Sequence, residues 1–557
     1  MSNPNQPLLS KPKTLNHKNL CLVLSLVAIL GSAAFFTAQL ISITTTNDES
    51  LLTPSQICHG AHDHYSCQAL LSEFTTLSLS KLKRLDLLHV FLKNSVWRLK
   101  SAINMVNEAR TRSNEARDEA RFADCEEMMD VSKDRMVSSM EEMRGGNLNL
   151  ESYSNVHSWL SSVLTNYMTC LDGFSDASVD SKLLGVKPKL EDLVSRARVA
   201  LAIFVSVLPS RDEHEMFFPI HFPSWLSALD RKLLESAPKT LEVNANVVVA
   251  KDGTGKYKTV NEAVAAAPEN SKTRYVIYVK KGVYKETVDI GKKKTNLMLV
   301  GDGKDTTIIT GSLNVIDGST TFRSATVAAN GDGFMAQDIW FQNTAGPAKH
   351  QAVALRVSAD QTVINRCRID AYQDTLYTHT LRQFYRDCYI TGTVDFIFGN
   401  SAVVFQNCDI VARKPGAGQK NMVTAQGRED QNQNTAISFQ KCKITASSDL
   451  APVKGSVKTF LGRPWKLYSR TVIMQSFIGD HIDPAGWFPW DGEFALSTLY
   501  YGEYANNGPG SDTSKRVKWK GFRVIRNSKE AEQFTVAKLI QGGLWLKPTG
   551  VTYQEWL

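Results

Sequence analysis

Two aspartates, Asp374 and Asp395, stand 21 residues apart in this 557-residue chain, and two glutamines, Gln351 and Gln373, stand 22 apart beside them. Two carboxyl groups held in one small site cannot both ionise readily, so one titrates low and the other high. A nucleophile and a proton donor then come from one residue type, and the side-chain amides supply N–H donors. Such a set suits acyl transfer, provided the fold brings residues one period apart together. A lone aspartate is ordinarily a turn residue or a surface acceptor. Two in register, flanked by glutamine and aromatics, are harder to explain that way.

The elements that must position them repeat. The phrase Ile364-Asn-Arg-Cys367-Arg-Ile369 recurs around Cys388, Cys408 and Cys442, the cysteines being spaced by 21, 20 and 34. The long last gap holds an extra loop around Pro415 to Asn434. Repeats of this length built from short strands predict a parallel β-solenoid, one repeat per coil. Coils stack about 4.8 Å apart, so residues one period apart form columns. Asp374 and Asp395 each fall seven residues after the cysteine of their coil. Stacked Cα atoms also lie within disulfide range, which favours a Cys388–Cys408 bond, with another pairing among Cys367, Cys388, Cys408 and Cys442 or free thiols as the alternatives. Further short strands are expected at Val247-Val-Val-Ala, Tyr275-Val-Ile-Tyr-Val, Leu297-Met-Leu-Val and Thr306-Thr-Ile-Ile. Gly253-Thr-Gly-Lys256 and Gly301-Asp-Gly match no phosphate-binding loop and read as turns. The last 50 residues, with Trp519, Phe522, Trp545 and Trp556, are expected to cover the coils as irregular or helical segments.

Other chemistries fit less well. No G-x-S-x-G elbow occurs, Gly399-Asn-Ser401 lacking the final glycine. No H-E-x-x-H occurs, the eleven histidines are scattered, and His379 reads as a surface residue. A glycosidase is the serious rival. An inverting one needs its carboxyls roughly 6.5–9.5 Å apart, whereas adjacent coils bring them near about 5 Å, a spacing that still suits a retaining one. The glutamine pair favours acyl transfer, since an oxyanion needs donors and an oxocarbenium ion does not. A non-catalytic binding or inhibitor protein is the third reading, disfavoured because both aspartates are present.

Gly282-Val-Tyr-Lys-Glu286, Gln351-Ala-Val-Ala-Leu, Tyr372-Gln-Asp-Thr-Leu-Tyr377, Asp395-Phe-Ile-Phe-Gly399 and Leu461-Gly-Arg-Pro-Trp465 resemble, in order, the signature blocks of plant pectin methylesterases. The resemblance covers roughly Asn246 to Leu557 and implies a right-handed parallel β-helix that hydrolyses methyl esters of homogalacturonan to pectate and methanol. It implies Asp395 as nucleophile, forming an acyl-enzyme, and Asp374 as proton donor and then base. Gln373 and Gln351 would stabilise the oxyanion, a role worth about 3–4 kcal/mol per donor elsewhere, with Gln351 also touching substrate. Arg463 would hold Asp395 ionised and contact a substrate carboxylate. Trp465, Tyr377 and Phe398 would offer faces to sugar rings, Trp487 is a weaker candidate, and Thr321 would line the cleft. No metal or cofactor is implied, and the mature enzyme is expected to be a monomer.

The charge is divided unevenly. Residues 1–234 carry 24 Lys+Arg against 26 Asp+Glu, a balance of −2; residues 235–557 carry 40 against 30, a balance of +10. A basic C-terminal part suits a polyanionic partner, and no nucleic-acid-binding motif accompanies it. Residues 1–18 are polar with three lysines and read as a cytosolic tail. Residues 19–43, uncharged from Leu20 to Ile43, read as a signal anchor or signal peptide. Both send the remainder through the secretory pathway, toward the cell wall. Membrane contact is expected only through that segment.

Residues 50–208 show apolar spacing of helical period over Leu70 to Leu99 and Val194 to Leu208, with a charged, Ala- and Met-bearing stretch from Glu108 to Met143. This predicts a helical bundle in which Cys58, Cys67, Cys125 and Cys170 could pair in three ways. The region resembles the pectin-methylesterase-inhibitor-like pro-domain of many plant esterases, a four-helix bundle, which implies Cys58–Cys67 and Cys125–Cys170. Residues 209–240, rich in proline and aromatics, read as a linker holding Arg231-Lys232-Leu233-Leu234. In the resembling family that tetrad is a processing site, so a protease is expected to cut after Leu234 and release 235–557, within which 241–557 is the esterase domain. The expected partners are methyl-esterified homogalacturonan, the processing protease, and an inhibitor protein or the chain's own pro-domain.

Overall fold

The computed structural model describes residues 54–74, 84–146, 148–175, 185–207 and 245–557. The linker, the Arg231–Leu234 tetrad and the apolar 19–43 segment lie outside the described residues. Among those described, no helix is long and apolar enough to cross a membrane.

The N-terminal part is helical. Two short helices, α1 (Pro54–Cys58) and α2 (His64–Ser72), precede four long ones: α3 (Arg84–Thr111), α4 (Ala116–Glu142), α5 (Leu150–Ser175) and α6 (Lys187–Ser206). The long helices pack around Phe91, Phe122, Met129, Leu164, Leu201 and Phe204, all fully buried. Each long helix packs on two others, α4 on α3 and α5, and α6 on α3 and α5, which makes a four-helix bundle. The helical spacing expected over Leu70–Leu99 spans the end of α2 and the start of α3. That over Glu108–Met143 is broken between Thr111 and Ala116 into two helices. Disulfides join Cys58 to Cys67 and Cys125 to Cys170, the second tying α4 to α5.

From Val247 onward the chain is a solenoid of three parallel sheets with eleven, eight and seven strands. The fold is a right-handed parallel β-helix. The sequence repeat explains its register: Ile364, Tyr385, Phe405, Phe439 and Ile473 are successive partners in the eleven-stranded sheet. Ile369, Ile390, Ile410 and Ile444 are partners in the eight-stranded one. Tyr385, Phe405 and Phe439 stack with centroids 4.6 and 5.0 Å apart, filling the interior. The residue before each cysteine (Arg366, Asp387, Asn407, Lys441) has φ between 50° and 57°, making the tight turn between the two sheets. Helix α7 (Val260–Ala266) closes the first coil behind a capping box of Thr259 and Glu262.

The C-terminal segment covers the outer face of the eleven-stranded sheet, where Phe534, Leu539 and Trp545 pack on Phe384, Val404 and Val472. Phe522 departs from the expected cover, since it starts an edge strand, Phe522–Val524.

The expected Cys388–Cys408 bond is absent. Cys367, Cys388, Cys408 and Cys442 are free, buried thiols. They occupy one position in successive coils, and their thiols turn to carbonyl oxygens, Cys388 Sγ donating to Arg386 O at 3.3 Å and Cys408 Sγ to Gln406 O at 3.5 Å. Stacked side chains point the same way one strand spacing apart, whereas a disulfide needs Cβ atoms about 3.8 Å apart and facing one another.

Candidate active site

Asp374 and Asp395 each precede, by two residues, a strand of the seven-stranded sheet: Leu376–Thr378 and Ile397–Gly399. Leu376 pairs with Ile397 in parallel register, so the two aspartates lie one coil apart at the same end of the sheet. Both adopt left-handed backbone, φ 62° and 50°, a conformation aspartate tolerates better than most residues. Gly399 lets the second strand pass close to the first: a Cβ there would lie 2.1 Å from Thr378 O. Gln351 and Gln373 form a parallel backbone bridge and line the same cavity as the aspartates.

Asp374 and Asp395 are 7% and 6% exposed. Arg463 grips Asp395 with both arms of its guanidinium, Nε to Oδ1 at 2.8 Å and Nη2 to Oδ2 at 2.6 Å. Burial pushes the Asp374 carboxyl well above the usual carboxylate range, and the charge of Asp395 pushes it further, Arg463 opposing both. Burial raises Asp395 as well, but there two hydrogen bonds and the charge of Arg463 pull it back. The pair is therefore unequal, the Asp374 carboxyl being pushed up well beyond that of Asp395.

The outward column of the seven-stranded sheet runs Asp289, Ala328, Arg356, Tyr377, Phe398, Ala425. Tyr377 and Phe398 stack at 4.2 Å, Phe398 meets Trp465 edge-on at 6.0 Å, and the Arg463 guanidinium lies 4.3 Å from the Trp490 ring. These residues, with Thr321, bound a cavity of about 410 Å³. Its other wall is the helical bundle, through Arg117, Asp124, Met128, Thr169 and Asp172. Asn400 Nδ2 donates to Thr165 Oγ1 at 2.9 Å, and Lys466 pairs with Asp172 at 2.6 Å.

The model of the pectinesterase family matches residues 246–543, and that of the plant invertase/pectin methylesterase inhibitor family matches 53–203. The chain is 88% identical to pectinesterase/pectinesterase inhibitor 18 of Arabidopsis thaliana, over all of both chains. The chain belongs to the pectinesterase family. A pectinesterase/pectinesterase inhibitor of Ficus pumila var. awkeotsang is 56% identical, over 89% of this chain and 91% of that one. The structure of pectin methylesterase from carrot is 66% identical, with a TM-score of 0.56, over 56% of this chain and 98% of that one.

Within this pectinesterase the structure brings together Thr321, Gln351, Gln373, Asp374, Tyr377, Asp395, Phe398, Arg463 and Trp465 around one cavity. Two expectations are corrected. Trp487 is no sugar platform: it is 1% exposed, stacked on Tyr501 at 4.2 Å with Nε1 bonded to Glu503 at 3.2 Å. His379 is not on the surface. It lies two residues beyond Tyr377, just past the strand end, its ring nitrogens meeting Ser358 Oγ at 2.9 Å and Thr169 Oγ1 of the bundle at 3.0 Å. Burial, helped by Arg356, pushes it down to about 3, so it stays neutral.

Arg356, Phe322 and Trp490 escaped the sequence reading. The coil register could have shown Arg356, which stands one period before Tyr377; nothing local marks the other two.

Proposed function

We propose that this chain is the precursor of a pectin methylesterase whose chemistry rests on Asp395 and Asp374 and whose cleft its own helical domain closes. One observation carries the roles: Arg463 forks onto Asp395 and leaves Asp374 as the buried, protonated partner. An ionised Asp395 oxygen attacks the carbonyl carbon of a galacturonate methyl ester. The developing oxyanion takes hydrogen bonds from the amides of Gln351 and Gln373. As the carbon–methoxy bond breaks, Asp374 gives its proton to the leaving oxygen and methanol departs, leaving an anhydride with Asp395. Asp374, now ionised, takes a proton from water. The resulting hydroxide adds to the acyl carbon, and Asp395 leaves as carboxylate with the acid product free.

Trp465, Tyr377 and Phe398 serve as walls for the sugar rings, and Thr321 completes the cleft. In the intact chain α4 and α5 lie over this cleft, so polymer access requires their removal. Cleavage after Leu234, at Arg231-Lys232-Leu233-Leu234, would free it. The apolar 19–43 segment, as signal peptide or anchor, would deliver the chain to the wall, where its polyanionic substrate lies and its basic solenoid suits that partner.

The test is methanol release from highly methylated pectin by residues 235–557, beside the same protein carrying Asp395→Asn, with reducing ends followed in the same tubes. Methanol from the parent alone, chain length unchanged, is the expected result. Reducing ends without methanol would establish the glycosidase reading in its place.

A further inference from the structure

Two buried charges near the C-terminal end of the solenoid take no part in the chemistry derived above. Glu503, on strand Tyr500–Tyr504, and Arg516 are 2% and 3% exposed, and neither lines the cleft cavity. Arg516 forks onto Glu503, Nε to Oε1 at 2.8 Å and Nη2 to Oε2 at 3.1 Å. It also donates to backbone, from Nη2 to Gly510 O at 2.7 Å and from Nη1 to Pro484 O at 3.2 Å. A buried ion pair is a poor source of stability, because desolvation offsets most of the attraction. A clamp that only closed the last coil could be built as well from apolar side chains.

What the pair holds lies on both flanks of Arg463. Strand Thr459–Gly462 ends one residue before Arg463 and has two neighbours. On one side Gly462 pairs with Thr424, and Arg463 N donates to Thr424 O at 3.0 Å. On the other, Leu461 N donates to Gly486 O at 2.7 Å, Gly462 bridges Trp487, and Phe488 N donates to Gly462 O at 3.0 Å. Trp487 fixes that second neighbour, since its indole is bonded to Glu503 and stacked on Tyr501. Arg516 packs against Gly486, where a Cβ would lie 2.3 Å from its Cδ. Tyr501 OH shares a 2.9 Å hydrogen bond with Ser469 Oγ, which pins the loop that follows Arg463. The strand before Arg463 and the loop after it therefore both lead back to one buried pair. A forked, charge-assisted bond is sensitive to small displacements of its donor, and a misplacement of about 1 Å far from the chemistry can cost about 10²-fold in rate.

We infer that Glu503 and Arg516 are positioning residues for the esterase reaction. The pair anchors Trp487 and Tyr501, which hold the strand and the loop on either side of Arg463 and so keep its guanidinium on Asp395. The inference rests on the esterase reading and extends it to residues that touch neither substrate nor the reacting carboxyls.

The experiment uses residues 235–557, whose two cores take no residue from the bundle. Methanol release from pectin is followed across pH for the parent, Glu503→Gln, Arg516→Gln and the charge-conserving Arg516→Lys. Trp487→Phe is added, since it keeps a ring and loses the indole N–H. Ile309→Ala, a buried change in an early coil, controls for lost stability alone. Each protein is assayed below its own unfolding temperature. Independently of activity, the carbon-13 carboxyl resonance of Asp395, assigned by its loss in Asp395→Asn, is titrated in each. Asp395, Asp374 and Tyr501 are the titratable groups acting on Arg463, and Asp395 is the one held in its fork. A loosened fork lets Asp395 titrate higher. Both glutamine variants are expected to lose about tenfold in kcat with KM little changed, and to move the acid limb and the Asp395 titration upward. Arg516→Lys should recover part of the loss, and Trp487→Phe should shift the same way by less. Ile309→Ala should unfold earlier yet keep the parent's kcat and acid limb. Parental kcat and an unmoved Asp395 titration in the glutamine variants would overturn the inference and leave the pair as a clamp on the last coil. Where those variants fail to fold, Arg516→Lys and Trp487→Phe decide on the same two readouts. Absence of methanol from the parent would instead sink the esterase reading, and the Asp395 titration would still decide what the pair does for Arg463.

Discussion

Arg463 binds both oxygens of Asp395, at 2.8 and 2.6 Å, although 68 residues separate them in the chain. Arg463→Gln removes the charge that keeps Asp395 ionised inside a buried site. Breaking a buried pair costs about 3–5 kcal/mol, so kcat should fall on the order of 10²-fold or more. The acid limb of the pH–rate profile should move upward, because Asp395 then titrates higher. A profile that drops uniformly without shifting would show that Arg463 only shapes the cleft.

Asp374→Asn should abolish methanol release yet raise stability at neutral pH. The sign follows from its raised carboxyl. Above the ordinary carboxylate range the unfolded chain has lost this proton while the folded one still holds it, so ionisation works against folding as pH rises. A neutral amide escapes that cost. Thermal unfolding at pH 4 and pH 8 checks it: the variant should gain over the parent at the higher pH and not at the lower.

Asp124 lies between bundle and solenoid, facing Arg323, Arg356, Glu127 and Thr320. Burial pushes its carboxyl up to about 6, Arg323 opposing. A group raised on docking favours docking when protonated, so the bundle should hold most tightly in acid and loosen as pH rises through about 6. Chain nicked in the linker, run through gel filtration from pH 4 to 8, should release its bundle toward the upper end. Asp124→Asn should flatten that dependence across pH 4 to 6.

The solenoid cysteines are separate thiols, each made less acidic by burial where a shift is resolved. Unreduced protein spanning 245–557 should yield four thiols to a colorimetric reagent after denaturation and almost none before. Two after denaturation would restore the disulfide.

The coil was legible because its interior repeats. Ile364, Tyr385, Phe405 and Phe439 stack on one another, so each residue's environment is its counterpart one period away, and the period can be read along the chain. The same register placed Asp374 over Asp395 and Gln351 beside Gln373. The direction in which side chains leave the coil was not legible. Cys388 and Cys408 are as near as the period implies, yet they point alike and stay unbonded. Trp487 looks like a sugar platform in sequence and is core in space. What covers the cleft was beyond local reading altogether: His379, Arg356 and Phe322 are buried because α4 and α5, some 200 residues earlier in the chain, lie over them. The sequence by itself determined the repeat, and with it the stacking of the two carboxyls. The tertiary structure alone decided how unequal their surroundings are, because that depends on burial and on an arginine delivered by a distant coil.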